Sequence, residues 1–246
     1  MVTELATATK SRLKESPDSS YPALKRTART TGLWYLALGI TGMIAFLLIR
    51  PQIFAEGDAA ATLANLVDNY ALARLGLVAE MGVVVAQALA AIWFYKLFRG
   101  INHVGAWALA IFGILNAVAI MASVAFLGTA LTIAGDLGLA VGGDAAGTVQ
   151  LMYELSANSW GVGALFFGLW LIPMGYVAAT SGRMPVWLGR ILIVGGAGYI
   201  LSAFVGYGFA VAGWLADALA YPATIGEFWM IGYLLTVGIR PPLGAN

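Results

Sequence analysis

Six runs of about twenty apolar residues, joined by short polar links, limit what this chain can fold into more than any other feature of it. A helix rises about 1.5 Å per residue, so about 20 residues cross a hydrocarbon core of roughly 30 Å. Inside that core, backbone amides find partners only within a helix or a closed barrel. The runs occupy residues 31–49, 73–94, 104–127, 159–180, 187–208 and 220–239. Hydrophobic residues make up 61% of the 246 and charged ones only 10%, too little polar surface to stay dispersed in water, so the lipid bilayer is the solvent to reason in. The expected fold class is all-α, a polytopic bundle of six transmembrane helices over 31–240, with a basic tail at 1–30 and a short tail at 241–246.

Charge orients the bundle. Lys10, Arg12, Lys14, Lys25, Arg26 and Arg29 precede the first run, Lys96 and Arg99 follow the second, Arg183 and Arg190 flank the start of the fifth, and Arg240 follows the sixth. The opposite side has only Arg50 and Arg74 as basic residues, beside Glu56, Asp58, Asp68, Asp136, Asp144, Glu154 and Asp217. The positive-inside rule then places both termini in the cytoplasm, which an even number of spans requires. A net charge of +1 argues against a nucleic-acid partner. The first thirty residues are too long and too charged for a cleaved signal peptide. Within them 16–22, rich in Pro and Ser, should be loose, and 23–29 should lie against anionic headgroups.

The links carry local signals. Residues 58–70 read as a short interfacial helix on the outer side, capped by Asp58, with Leu63, Leu66, Val67 and Tyr70 on one face. The string from Gly57 to Thr62 returns from Gly143 to Thr148, and the same offset lays the second run on the fourth and the third on the fifth. A tandem repeat of helices 2–3 and 4–5 is one reading, and coincidence in a chain rich in Ala and Gly is the other. Residues 129–143, interrupted by Gly135, Gly138, Gly142 and Gly143, read as an outer loop or partial helix, with a re-entrant segment as the alternative. Gly198, Ser202 and Gly206, and likewise Ala164 and Gly168, recur at the spacing that lets helices approach closely. Pro173 should kink the fourth helix, while Pro185 and Pro222 fit first turns.

Ionisable groups inside apolar spans are costly, so Glu80 and Glu227 are the first functional candidates. Both fall slightly outside the midplane of their runs, where they could share a polar pocket with Gln87 and Asn116. Arg74 could pair with Glu227, Glu154 or Asp58. These groups form either a buried packing cluster or a proton, cation or ligand path. Asp58 and Asp144 read as helix caps, or else as part of an outer surface for a ligand or partner. No cofactor is expected: there is no cysteine, His103 is the one histidine, and no lysine lies within a run to form a Schiff base. Gly-x-Ser-x-Gly and His-Glu-x-x-His do not occur, and Val141 spoils a Gly-x-Gly-Asp pattern at Asp144. Trp34, Trp93, Trp107, Trp187 and Trp214 read as interfacial anchors, and Trp160, Trp170 and Trp229 as packing.

Several strings together resemble a known family: Arg29 to Leu36, Gly57 to Thr62 with Asn65, Arg74-Leu75-Gly76, Phe166 to Leu169, and Ser181-Gly182 with Pro185 and Leu188-Gly189. They are similar to the bacterial membrane proteins grouped as domain of unknown function 4386, over roughly 26–238. The resemblance implies a multi-pass protein of a bacterial cytoplasmic membrane and an outer-face constellation of Asp58, Thr62, Asn65 and Arg74, to which Asp144 and Glu154 are the acidic neighbours. It implies no activity. Members often carry histidines near the fourth helix, where this chain has Ala157, Asn158 and Trp170, which further disfavours a metal or haem. The leading expectation is a non-enzymatic accessory or assembly subunit that binds a membrane protein partner or a second copy of itself. The alternative is a small carrier or channel with a polar path around Glu80 and Glu227, and a weaker one is an enzyme acting on lipids or quinones.

Overall fold

Short polar caps mark where helices begin. Asp58 Oδ1 accepts the Ala61 N–H at 2.9 Å, Asn102 Oδ1 that of Gly105 at 2.8 Å, and Asp144 Oδ1 that of Gly147 at 2.8 Å. Each satisfies a donor that the first turn leaves unpaired. The computed structural model describes residues 17–209 and 213–241; Lys10, Arg12, Lys14 and most of the C-terminal tail lie outside the described residues, as does the side chain of Asp217. Helix α1 (Pro17–Gly42) continues through a π-helical turn (Met43–Ile49) into α2 (Arg50–Ile53). Next come α3 (Ala59–Asp68), α4 (Tyr70–Phe98), α5 (His103–Gly135), α6 (Ala145–Thr180), α7 (Val186–Gly208) and α8 (Gly213–Thr236).

Five helical segments are long and apolar enough to cross a membrane: Tyr21–Ile53, α4, α5, α6 and α7. The chain is therefore a multi-pass membrane protein. Helix α8, of 24 residues, is not among these five; Pro222, Glu227 and two tyrosines interrupt its apolar run. The long helices pack in a closed ring in chain order, each against its neighbours and α8 back against α1. The ring is pinned at one end, where the Tyr21 hydroxyl donates to the Ile239 carbonyl at 2.9 Å and the Tyr233 hydroxyl to the Arg183 carbonyl at 3.1 Å.

Several expectations about the links change. Residues 17–22 are helical, as the start of α1, rather than loose. Residues 129–135 continue α5, and only two 3₁₀ turns (Leu137–Leu139 and Val141–Gly143) separate it from α6. Helix α6 starts directly at the Asp144 cap, because Val149, Tyr153 and Ser156 bury one face at helical spacing even though Gln150, Glu154 and Asn158 lower its hydropathy. The matching Asp58 cap instead opens the separate helix α3, with Thr62 and Leu66 buried, so the two strings share a cap and diverge after it. Pro185 is the N-cap of α7, as its position suggested, whereas Pro222 lies well inside α8.

Glycine sets the closest approaches. A Cβ at Gly168 would overlap the Gly196 carbonyl oxygen, and one at Gly175 would lie 2.5 Å from the Gly189 carbonyl oxygen, so α6 and α7 touch backbone to backbone. Gly198 meets the Leu219 carbonyl of α8 in the same way, but Gly206 has open space, and the Ser202 hydroxyl donates within its own helix to Tyr199. Gly175→Ala is expected to lower stability by about 1–3 kcal/mol through overpacking, while Gly206→Ala leaves it unchanged. Thermal unfolding in detergent micelles measures both.

Candidate functional site

The first span does not run straight. Pro51 has no N–H to return to the preceding turn, and the seven residues before Arg50 wind as a π-helix, with the Arg50 N–H bonded to the Ala45 carbonyl. Each residue added to a turn rotates the rest of the helix by about 100°. That rotation brings Arg50 into the bundle between Phe46 and Phe54, whose rings lie 5.8 and 5.6 Å from its guanidinium.

There Arg50 heads a one-way chain of hydrogen bonds. Its Nη1 donates to Ser156 Oγ at 3.2 Å and its Nη2 to the Tyr153 carbonyl at 3.4 Å. Since a guanidinium only donates, Ser156 must pass its single proton on to Ser123 Oγ, 2.8 Å away, and Ser123 donates in turn to Glu80 Oε2 at 3.0 Å. Trp160 Nε1 donates to the same Ser123 oxygen at 3.1 Å. The circuit closes where Arg50 Nη1 faces Glu80 Oε1 at 3.9 Å. Glu80 is 3% exposed, and both serines are fully buried. A buried carboxylate and a partly buried guanidinium cost several kcal/mol to desolvate and recover it only when their remaining valences are filled, to which Ser123, Ser156 and the Tyr153 carbonyl contribute.

Asp58, Thr62 and Asn65 of the expected constellation support this circuit. Thr62 Oγ1 accepts the Ala55 N–H at 3.1 Å and donates toward the carbonyls of Ala55 and Asp58, while Asn65 Nδ2 donates to the Ile53 carbonyl at 3.3 Å. Together with the Asp58 cap, these bonds fasten the turn that leaves α2 just beyond Arg50. Arg74 does not join them: it is exposed and pairs with none of Glu227, Glu154 or Asp58 among the described residues. Glu154 accepts from Gln150 on its own helix at 3.1 Å, and Asp144 remains a cap.

The intramembrane candidates do not form one pocket through hydrogen bonds. Gln87 Nε2 donates to the Gly113 carbonyl at 3.3 Å, and both polar atoms of the fully buried Asn116 lack a partner. Glu227 lies elsewhere, with Oε1 accepting the Tyr35 hydroxyl at 2.7 Å. It faces a cavity of about 390 Å³ between α1, α6, α7 and α8. Tyr35, Phe46, Trp160, Phe167, Tyr199 and Phe228 supply aromatic walls, with Phe46 edge-on to Trp160 at 4.4 Å. Met43, Leu47 and Phe228 line the cavity and are also exposed on the outside of the ring, so it opens between α1 and α8. Trp160 belongs to both places, its ring in the cavity wall and its N–H in the Arg50–Glu80 circuit.

Arg50, Ser123, Ser156, Tyr35 and Trp160 were not legible as site residues. Arg50 counted only toward topology; the signals were the Pro51 beside it and the want of a cation for Glu80.

The family model described as Domain of unknown function (DUF4386) matches residues 30–238. A stretch of 71 residues, 28% of this chain, is 37% identical to an uncharacterized protein of Archaeoglobus fulgidus and spans 43% of that protein's length. No solved structure matches the chain.

Removing one partner of a buried ion pair strands the other charge, so Arg50→Met should destabilise the protein by about 3–5 kcal/mol. Arg50→Met combined with Glu80→Leu should regain most of that loss. Chemical unfolding of the three proteins in micelles gives the comparison, and a double variant as unstable as Arg50→Met would show that Arg50 matters beyond its partner.

Proposed function

The chain belongs to the DUF4386 family, and from that premise and its geometry we propose that it is a small carrier, one that takes a hydrophobic molecule from the bilayer into the cavity beside Glu227. One observation carries this reading: an aromatic-walled cavity inside the helix ring opens sideways, between α1 and α8, where lipid surrounds the protein. Solutes that dissolve in lipid reach such a mouth without crossing the polar ends of the bundle. The cavity favours a carrier over an accessory subunit, because a subunit held by its outer helix faces has no use for an interior space. It also changes the expected polar path, since Glu227 alone of the four intramembrane candidates lines it.

The carrier reading includes six spans. Helix α8 lies in the ring between two membrane-crossing helices, and Glu227, a charged residue that interrupts its apolar run, faces the cavity. The end where Tyr21 meets Ile239 also carries Lys96, Arg99, Arg183 and Arg240, and the positive-inside rule makes it cytoplasmic. In this cysteine-free chain, Asp136→Cys is expected to react with a membrane-impermeant thiol reagent applied to intact cells. Reaction only after the cytoplasm is opened would reverse the orientation.

Occupancy of the cavity is tested with a neutral, photoactivatable long-chain alcohol added to protein in lipid nanodiscs. Crosslinks should fall on residues 35–47 and 224–231 and should be lost when excess unreactive alcohol is present. Gly42 lines the cavity, and a Cβ there meets nothing within 4 Å, so Gly42→Phe should fill the space without disturbing the fold. Equal labelling of this variant and the unaltered protein would overturn the carrier reading.

A further inference from the structure

We propose that the cavity selects a hydrophobic cation, an amine or quaternary ammonium bearing apolar groups; this inference rests on the carrier reading and adds the sign of the charge. Glu227 is the one acidic residue in the lining, and no Lys, Arg or His lines it among the described residues. One carboxylate oxygen is held by the Tyr35 hydroxyl, and the other has no hydrogen-bond partner among the described residues and is not enclosed by protein. Arg50, whose guanidinium lies 5.8 Å from the ring of Phe46 in the cavity wall, does not line the cavity and is committed to Glu80, Ser156 and Tyr153.

A carboxyl in an apolar site stays charged only beside a counter-charge and otherwise takes up a proton, and here the protein supplies no counter-charge among the described residues, so a bound cation would fill that role. The surrounding walls suit the same ligand. The negative faces of aromatic rings attract cations, most strongly where water is excluded, and Tyr35, Phe46, Trp160, Phe167, Tyr199 and Phe228 surround the space. Their mutual contacts, Phe167 on Tyr199 at 5.7 Å and Phe46 on Trp160 at 4.4 Å, hold them as a wall before any ligand arrives. An anion would meet the carboxylate with the wrong sign, and a neutral lipid chain would leave it uncompensated.

Tetraphenylphosphonium and tetraphenylborate, alike in shape and opposite in charge, separate these cases. Saturable binding of each to the protein in zwitterionic nanodiscs is measured by equilibrium dialysis, with the uptake of empty nanodiscs subtracted. The cation is expected to bind at least about tenfold tighter than the anion, and Glu227→Gln to remove about that factor for the cation alone. The photoreactive alcohol serves as the folding control, since it should label Glu227→Gln like the unaltered protein. If the alcohol labels the cavity but the two ions bind alike, or Glu227→Gln binds the cation undiminished, the charge inference falls and the carrier reading stands. If neither the alcohol nor the cation occupies the cavity, both fall.

Discussion

The ion pair between Arg50 and Glu80 is the constraint around which the bundle is arranged. It lies between two apolar cores, one containing Val83, Ile120 and Trp170, the other Ala73, Leu131 and Val149, and together with Ser123 and Ser156 it joins the first span to α4, α5 and α6. In lipid, apolar contact alone discriminates poorly between helix registers, because a leucine is as well solvated by acyl chains as by another leucine. A directional chain of hydrogen bonds discriminates strongly: slide any one helix by a residue and a donor loses its acceptor. The π-helical turn is how the first span meets this demand, since without the extra rotation Arg50 would not face Glu80.

Trp160 extends the consequence of that layer to the cavity. Its N–H is fixed by Ser123, so the plane of its ring is set by the ion-pair layer, and that ring is one wall of the cavity into which Glu227 looks. The two carboxylates thus do different work in one structure. Glu80 has Ser123 and a cation of the protein, Arg50, as its partners, whereas Glu227 has Tyr35 and no cation among the described residues. A single polar path through both would require the Trp160 wall to be absent.

Much of the architecture was readable from hydropathy, because a bilayer leaves the backbone few options: the helices, their order and the Asp58 and Asp144 caps follow from apolar length and local polar groups, whereas the Asn102 cap was not read. What failed did so where local pattern and burial part company. The start of α6 was missed because Gln150, Glu154 and Asn158 dilute its hydropathy while Val149, Tyr153 and Ser156 still turn inward. The site was only half legible. Glu80 and Glu227 stand out as acids in apolar helices, but their partners are an arginine at the end of a span, two serines and a tyrosine, residue types too common there to signal anything before the ring brings them together. Thr62 and Asn65 were visible as a motif, yet their role as fasteners of the turn after Arg50 depends on carbonyls that no sequence displays.

The ring is also unequal around its circumference, and the inequality decides where it can open. Between α6 and α7, and between α7 and α8, glycines bring backbones into contact, and such seams cannot part slightly without losing most of their van der Waals contact. On the other side, Gly42 of α1 leaves space that no side chain fills, and α1 is held apart from α6 across the cavity by aromatic rings. Within this asymmetry α8 is joined to α7 by close packing and to α1 by the Tyr35–Glu227 hydrogen bond, with the segment after α8 tied to α1 where Tyr21 reaches Ile239. On the proposed carrier reading, the route for a hydrophobic molecule is the gap between α1 and α8 beside the cavity, and widening that gap costs the Tyr35–Glu227 hydrogen bond.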